Sequence, residues 1–311
     1  MTEIDVARYS NQIDPVLRVW SWEIPVYLFL GGMAAGTMIL SALLGMRKGD
    51  RSPSARWLAF AAPVLISVGM GALFLDLSHK LFVWRFYLAL RWTSPMSWGA
   101  WILVVAYPVT LLFGLSALSE AQFEGIMGKC RVARIGRILR RARQFAVAQS
   151  RRLAWWNLGT GVALGVYTGI LLSTLGARAL WNSALLGPLF LVSGLSTGAA
   201  LMMLFRVTDD ERHFLVRWDV LAIGIEFALI LLFLVGLTSS GAASRDAASL
   251  LLGGRFTAQF WTLVVIGGLL VPALLETLES KLHYRMTVIA PLLVLTGGFA
   301  LRWILVAAGQ T

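Results

Sequence analysis

Trp22-Glu23-Ile24-Pro25-Val26-Tyr27-Leu28-Phe29-Leu30-Gly31-Gly32-Met33-Ala34-Ala35-Gly36 is the stretch that decides the fold. The apolar run continues to Met46, long enough for a helix to cross roughly 30 Å of hydrocarbon. A carboxylate, Glu23, and a phenol, Tyr27, stand at one membrane boundary. Gly32 and Gly36, four apart, leave a face on which a second helix can approach closely. A simple apolar anchor requires none of these features.

Composition agrees. Of 311 residues, 58% are apolar and 14% charged, against roughly a quarter charged in a soluble domain. The mean hydropathy is +0.75. This is the profile of a polytopic membrane protein. Met1 to Asp14 is polar and the apolar run after it has no cleavage site, so no cleavable signal is expected. The one cysteine, Cys130, excludes an internal disulfide and any four-cysteine metal or iron–sulfur site within the chain. The net charge of +11 borders the apolar runs. It therefore points to a membrane surface and not to nucleic acid.

Eight stretches are predicted to span as helices: 24–46, 56–78, 97–119, 155–176, 185–206, 217–238, 257–278 and 286–308. Helices satisfy their own backbone in lipid, and the runs lack the alternation of a barrel strand. The expected fold is an all-α membrane protein, a single polytopic domain over 1–311. Most Lys and Arg residues fall in the loops after spans 1, 3, 5 and 7. Those loops are expected in the cytoplasm, which puts both termini in the periplasm of a bacterial inner membrane. The longest loop, 120–154, carries nine basic residues between Lys129 and Arg152. Apolar residues recur among them at helical spacing, which predicts an amphipathic helix on anionic lipid. Docking of a cytoplasmic partner is the alternative.

Gly32-Met33-Ala34-Ala35-Gly36 in span 1 has an echo in Gly194-Leu195-Ser196-Thr197-Gly198 of span 5, each helix opened by a proline, Pro25 or Pro188. An even number of spans separates them, so both run the same way. The echo suggests two four-helix halves, 1–176 and 177–311, in a parallel repeat. General small-residue packing gives the same pattern.

Ionisable residues inside a membrane are costly and each needs a reason. Glu23, Asp76 and Arg302 fall toward the outer leaflet, with Tyr27 and Tyr167 in the outer halves of their helices. Together they read as a polar pocket; ordinary helix-end solvation, with Asp76 and Arg302 as an ion pair, is the plainer reading. Such a pocket suits a quinone, whose two carbonyls accept hydrogen bonds from phenols and whose reduction needs protons from a partly buried carboxylate. Glu226 lies near mid-depth and reads either as a proton relay or as a neutral packing partner. Membrane haem needs facing axial histidines. Only His79, His213 and His283 are present, at the outer boundary and in predicted loops, so no haem is expected. Electrons must then pass to a partner on the outside. The aromatic and basic segment Phe82 to Trp92 is a candidate dock, or an interfacial aromatic belt.

These residues resemble the NrfD/polysulfide-reductase membrane-subunit family. The likeness is carried by Trp22 to Gly36, Asp76-Leu77, Ser94-Pro95-Met96-Ser97-Trp98-Gly99 and Tyr167-Thr168-Gly169. It continues in Trp181-Asn182-Ser183, Pro188 to Gly194 and Gly297-Gly298-Phe299-Ala300-Leu301-Arg302, and covers the chain from about residue 20 to its end. The resemblance implies a haem-free, eight-helix, quinone-reactive subunit with no metal of its own, using menaquinone or ubiquinone. It implies an iron–sulfur partner on the periplasmic side and a further catalytic subunit: a molybdopterin enzyme, a hydrogenase or a multihaem cytochrome. Proton translocation is coupled in some members by proposal.

By position, Tyr27 falls where some relatives place a quinone-contacting histidine, and Tyr167 at a tyrosine of like role. Losing the histidine removes a near-neutral base, which makes Asp76 and Glu23 the candidate proton-exchanging residues. His79, Trp98 and Arg302 complete the expected quinone site, and Glu226 the relay. A secondary transporter or proton channel without redox function is the alternative, and a passive anchor the third reading.

Overall fold

The structure is a computed structural model and describes residues 20–47, 51–77, 80–88, 91–129, 132–282 and 288–311. Among these, every regular element is a helix. In order they are α1 (Glu23–Met46), α2 (Pro53–Leu58), α3 (Ala61–Asp76), α4 (Arg85–Leu88), α5 (Pro95–Ala117), α6 (Glu120–Lys129) and α7 (Ala133–Ala148). There follow α8 (Ser150–Ser173), α9 (Leu186–Met203), α10 (Asp209–Thr238), α11 (Ala242–Leu252), α12 (Thr257–Gln259), α13 (Val271–Leu282) and α14 (Ile289–Ala308). A π-helical stretch, Phe260–Leu270, joins α12 to α13. Among the described residues six helices are long and apolar enough to cross a membrane: α1, α5, α9, α10, the continuous Thr257–Glu279 and α14. The chain is thus an all-helical, multi-pass membrane protein. α3 is apolar but has 16 residues, and α8 has 24 with two arginines in its first turn.

The echoed glycine motifs meet each other. A side-chain carbon on Gly194 would stand 2.5 Å from the Gly32 carbonyl oxygen, and one on Gly198 would stand 2.6 Å from the Gly36 carbonyl carbon. One on Gly36 would overlap the Gly194 carbonyl. Backbone therefore lies on backbone along a parallel α1–α9 seam. α8 closes on the same seam, with Gly161 against the Ala35 carbonyl and Gly169 against Leu186 and Gly187. Asn157 of α8 donates Nδ2 to the Met38 carbonyl, 2.9 Å away.

Three expected elements differ. The span predicted over 56–78 is broken at Ala59 and Phe60, because Pro63 has no N–H for the Ala59 carbonyl. Phe60 then turns its ring onto Gly114 of α5, where a side-chain carbon would stand 2.6 Å from it. The single amphipathic helix predicted within 120–154 is a pair, α6 and α7, clasped by Arg143. That guanidinium bonds Glu120 at 2.8 Å and lies 4.4 Å from the Phe123 ring centroid. α10 starts at Asp209 and not at 217, because Thr208 and Glu211 form a reciprocal capping box. His213, predicted in a loop, consequently lies on this helix and bonds the Asp209 carbonyl.

Both ends of the described chain meet at one face. The Trp20 N–H donates to Gln310 Oε1 at 2.9 Å, and Gln310 Nε2 donates to the Trp20 carbonyl at 3.0 Å. Trp20 also stacks on Trp181, whose indole N–H bonds the Leu305 carbonyl.

The seam predicts unequal tolerance of alanine. Gly194→Ala should lower stability by about 1–3 kcal/mol through overpacking. Gly224→Ala, with no heavy atom within 4 Å of the added carbon, should be neutral or stabilising by up to about 1 kcal/mol. Unfolding of the purified protein in a detergent titration checks both.

Candidate functional site

At the face where Trp20 and Gln310 meet, four helix ends and α4 enclose a cavity of about 720 Å³. The starts of α1 and α5 and the ends of α3 and α8 fall there because successive spans reverse direction. The wall is mostly aliphatic and aromatic, with a few polar groups.

Tyr27 of α1 and Tyr167 of α8 both line this cavity and are buried. Their phenols interact with each other. Glycine makes that possible. Gly69 lies against the Tyr27 ring, and a side-chain carbon on Gly99 would overlap the Tyr167 phenol. Asp76, at the end of α3, lines the rim and is exposed. Glu23 stands near enough for its charge to act on Asp76, but it is not in the wall. Its Oε2 is buried without a hydrogen-bond partner among the described residues.

Other expected residues lie elsewhere. Trp98 is exposed and donates its indole N–H to the Trp92 carbonyl, 2.8 Å away, so it fixes the loop before α5. His79 lies outside the described residues. Arg302 is fully buried but away from the cavity. Its Nη1 donates to Ser193 Oγ at 3.0 Å and to the Gly298 carbonyl at 2.8 Å, and its Nη2 to the Phe190 carbonyl at 3.3 Å. Gly32 makes the notch: a side-chain carbon there would stand 2.6 Å from the guanidinium. The charge that acts on Arg302 is that of Glu226, which is buried near Ser193; no ion pair joins the two among the described residues. Among the described residues no ion pair joins Arg302 to Asp76.

Residues 8–311 match the family profile described as "Polysulphide reductase, NrfD". The chain belongs to the NrfD family. It is 30% identical over 309 residues to a component of polysulfide reductase from Wolinella succinogenes, and the match covers 94% of this protein and 95% of that one. Protein NrfD of Escherichia coli is 30% identical over 305 residues, again 94% and 95% of the two proteins. A subunit of tetrathionate reductase from Salmonella typhimurium is 26% identical over 296 residues, or 93% of this protein and 79% of that one.

Two features of this NrfD-family protein escaped the sequence reading. Tyr87 of α4 brings a third phenol to the cavity wall, and burial pushes its pKa up. Asp219, buried in α10, accepts a 2.5 Å hydrogen bond from Ser196 of α9. The spacing of Asp219 and Glu226, two turns apart on one helix face, was the available signal.

The Arg302 cluster gives a stability prediction. Arg302→Met leaves Glu226 and Ser193 facing apolar surroundings without their cation. The expected cost is about 3–5 kcal/mol, read as a lower unfolding midpoint of the purified protein. An unchanged midpoint would mean that the guanidinium is not the partner of Glu226.

Proposed function

We propose that this protein is the quinone-reactive membrane subunit of a respiratory oxidoreductase complex. In this reading it exchanges electrons between the menaquinone or ubiquinone pool and an iron–sulfur partner at the periplasmic face of a bacterial inner membrane. The observation that carries the reading is the pair of buried phenols, Tyr27 and Tyr167, converging on a largely apolar cavity whose rim bears Asp76.

The cavity's residues fit a quinone. Its volume lies within the usual roughly 300–1,000 Å³ range for small-molecule sites. Tyr27, Tyr167 and Tyr87 are the donors a two-carbonyl head group requires, and the aliphatic wall suits an isoprenoid tail. A bound quinone supplies two-electron, two-proton redox chemistry. Tyr27 and Tyr167 hold the carbonyl oxygens by hydrogen bonds. Asp76, exposed at the rim, moves protons between the cavity and the adjoining water, and Glu23 tunes its charge. Arg302, outside the wall, secures the α1–α9 seam and the helix that carries Tyr27.

We read α3 and α8 as spanning too, which makes eight crossings in two four-helix halves. The basic helices α6 and α7 then face the cytoplasm and its anionic lipid, and the cavity faces the periplasm. The polysulfide and tetrathionate reductase relatives are named as parts of larger enzymes. The same arrangement is proposed here, with an iron–sulfur subunit and a further catalytic subunit. Electrons do not cross an apolar bilayer unaided, so the partner's cluster belongs at the cavity mouth. There Leu81, Trp84, Leu88 and Trp92 are exposed on either side of Tyr87.

Binding of a quinone analogue to the purified protein tests the pocket. Tyr27→Phe and Tyr167→Phe each remove one hydrogen bond, worth about 1 kcal/mol or slightly more, and should weaken binding about five- to tenfold. Asp76→Asn should leave binding intact while quinone-linked turnover of the assembled complex falls by about 10²–10⁴-fold. Full turnover in that variant would remove Asp76 from the proton route.

A further inference from the structure

Away from the cavity, a file of buried ionisable groups runs to the opposite end of the bundle. It starts at Arg302, Ser193 and Glu226. About one turn further along α9, Ser196 bonds Asp219. Asp219 faces Glu276 of α13. One turn beyond, Glu279 pairs with Arg212 through a 3.1 Å hydrogen bond from Nη2 and a second, shorter one from Nε. Arg212 Nη1 lies 3.5 Å from the carbonyl of Met203, the last residue of α9. Because α9 begins at the cavity end and finishes at Met203, Arg212 and Glu279 mark the far face. Their side chains keep 19% and 10% exposure, so the file reaches the protein surface there.

Asp219 and Glu276 differ from a structural pair. They are 0% and 1% exposed. Asp219 Oδ2 and both oxygens of Glu276 have no hydrogen-bond donor among the described residues. Two buried carboxylates side by side cannot both stay ionised without cations or donors to cover them. The charged groups facing them are Glu226 and Arg212 of α10 and Glu279 of α13; the charge of Arg212 acts on Glu276 as well, but its side-chain hydrogen bonds to a carboxylate go to Glu279. Each carboxyl can satisfy the other only if a proton lies between them. No third His, Cys, Asp or Glu joins them as a metal cluster among the described residues, and a hard cation needs six or more oxygens.

The geometry points to Asp219 and Glu276 as a proton-exchange site, a carboxyl pair holding one shared proton and loaded from the membrane face opposite the cavity by way of Glu279. Loading is plain acid–base transfer. Hydronium at the far face gives up a proton, an O–H bond forms on the free carboxylate, water departs, and the pair passes from one negative charge to none. That change is felt at Glu226, two turns along α10, and so at Arg302 beneath the seam. The site requires no quinone, and its chemistry stands apart from that of Tyr27 and Tyr167.

Infrared difference spectra of the full-length protein in oriented vesicles, with the pH stepped on one face at a time, test the assignment. A protonated-carboxyl stretching band that shifts in heavy water should respond to steps on the Arg212 face and not on the cavity face. It should vanish in Glu276→Gln and move in Asp219→Asn, while quinone-analogue binding by Glu276→Gln stays at the wild-type level. A band unchanged in both variants, or one that follows only the cavity face, overturns the site. So does loss of analogue binding in Glu276→Gln. If neither variant inserts, the wild-type protein decides: no carboxyl response from the Arg212 face refutes the assignment.

Discussion

Backbone-to-backbone contact between α1 and α9 is the constraint on which the molecule is built. Lipid offers helices no hydrophobic gain for pairing, so close approach and dispersion must hold them together. Gly32, Gly36, Gly194 and Gly198 allow that approach, and at Gly36, Gly194 and Gly198 nothing larger than hydrogen fits against the facing backbone. The seam fixes the depth of α1 relative to α9 and gives α8 a surface to close on. It also leaves the Gly32 notch that admits the Arg302 guanidinium. Tyr27 and Tyr167 reach one cavity because α1 and α8 are both registered on this seam.

Two polar regions result, and they differ in kind. The cavity end is shallow, holds phenols, and has a carboxylate in contact with water. The second region lies between α9, α10, α13 and α14, where charges are buried and must satisfy one another. Arg302 bonds Ser193 and two backbone carbonyls and feels the charge of Glu226, and Arg212 and Glu279 pair directly. Asp219 and Glu276, between them, have Ser196 as their one hydrogen-bond donor among the described residues. Burying acids at this depth is a large expense for a fold to carry. A protein that needed only to anchor a partner would have little reason to keep them.

Much of this was legible in the sequence. Hydropathy located the helices, and the ends of α1, α5, α9 and α14 fall within a few residues of expectation. The glycine echo also carried real information, since the two motifs prove to be each other's partners. Pro63 and the Thr208–Glu211 box were visible and under-read, which is why α3 came out shorter and α10 longer than expected. The harder failure is rotational. Sequence gives depth along a helix well, but which neighbour a residue faces depends on how helices are turned within the bundle. Arg302 and Asp76 looked adjacent because both fall toward one leaflet, yet they face different helices. Glu226 and Arg302 looked unrelated for the same reason.

On the proposed function, a quinone occupies the cavity between Tyr27, Tyr167 and Asp76. Photolabelling with an azido-quinone in native membranes, followed by mapping of the modified peptide, tests it most directly. Label should fall on the start of α1, the end of α3 or the end of α8, and be displaced by excess unlabelled quinone. Displaceable label confined to α10, α13 or α14 would place the quinone in the other half of the molecule and rule out this cavity as its site.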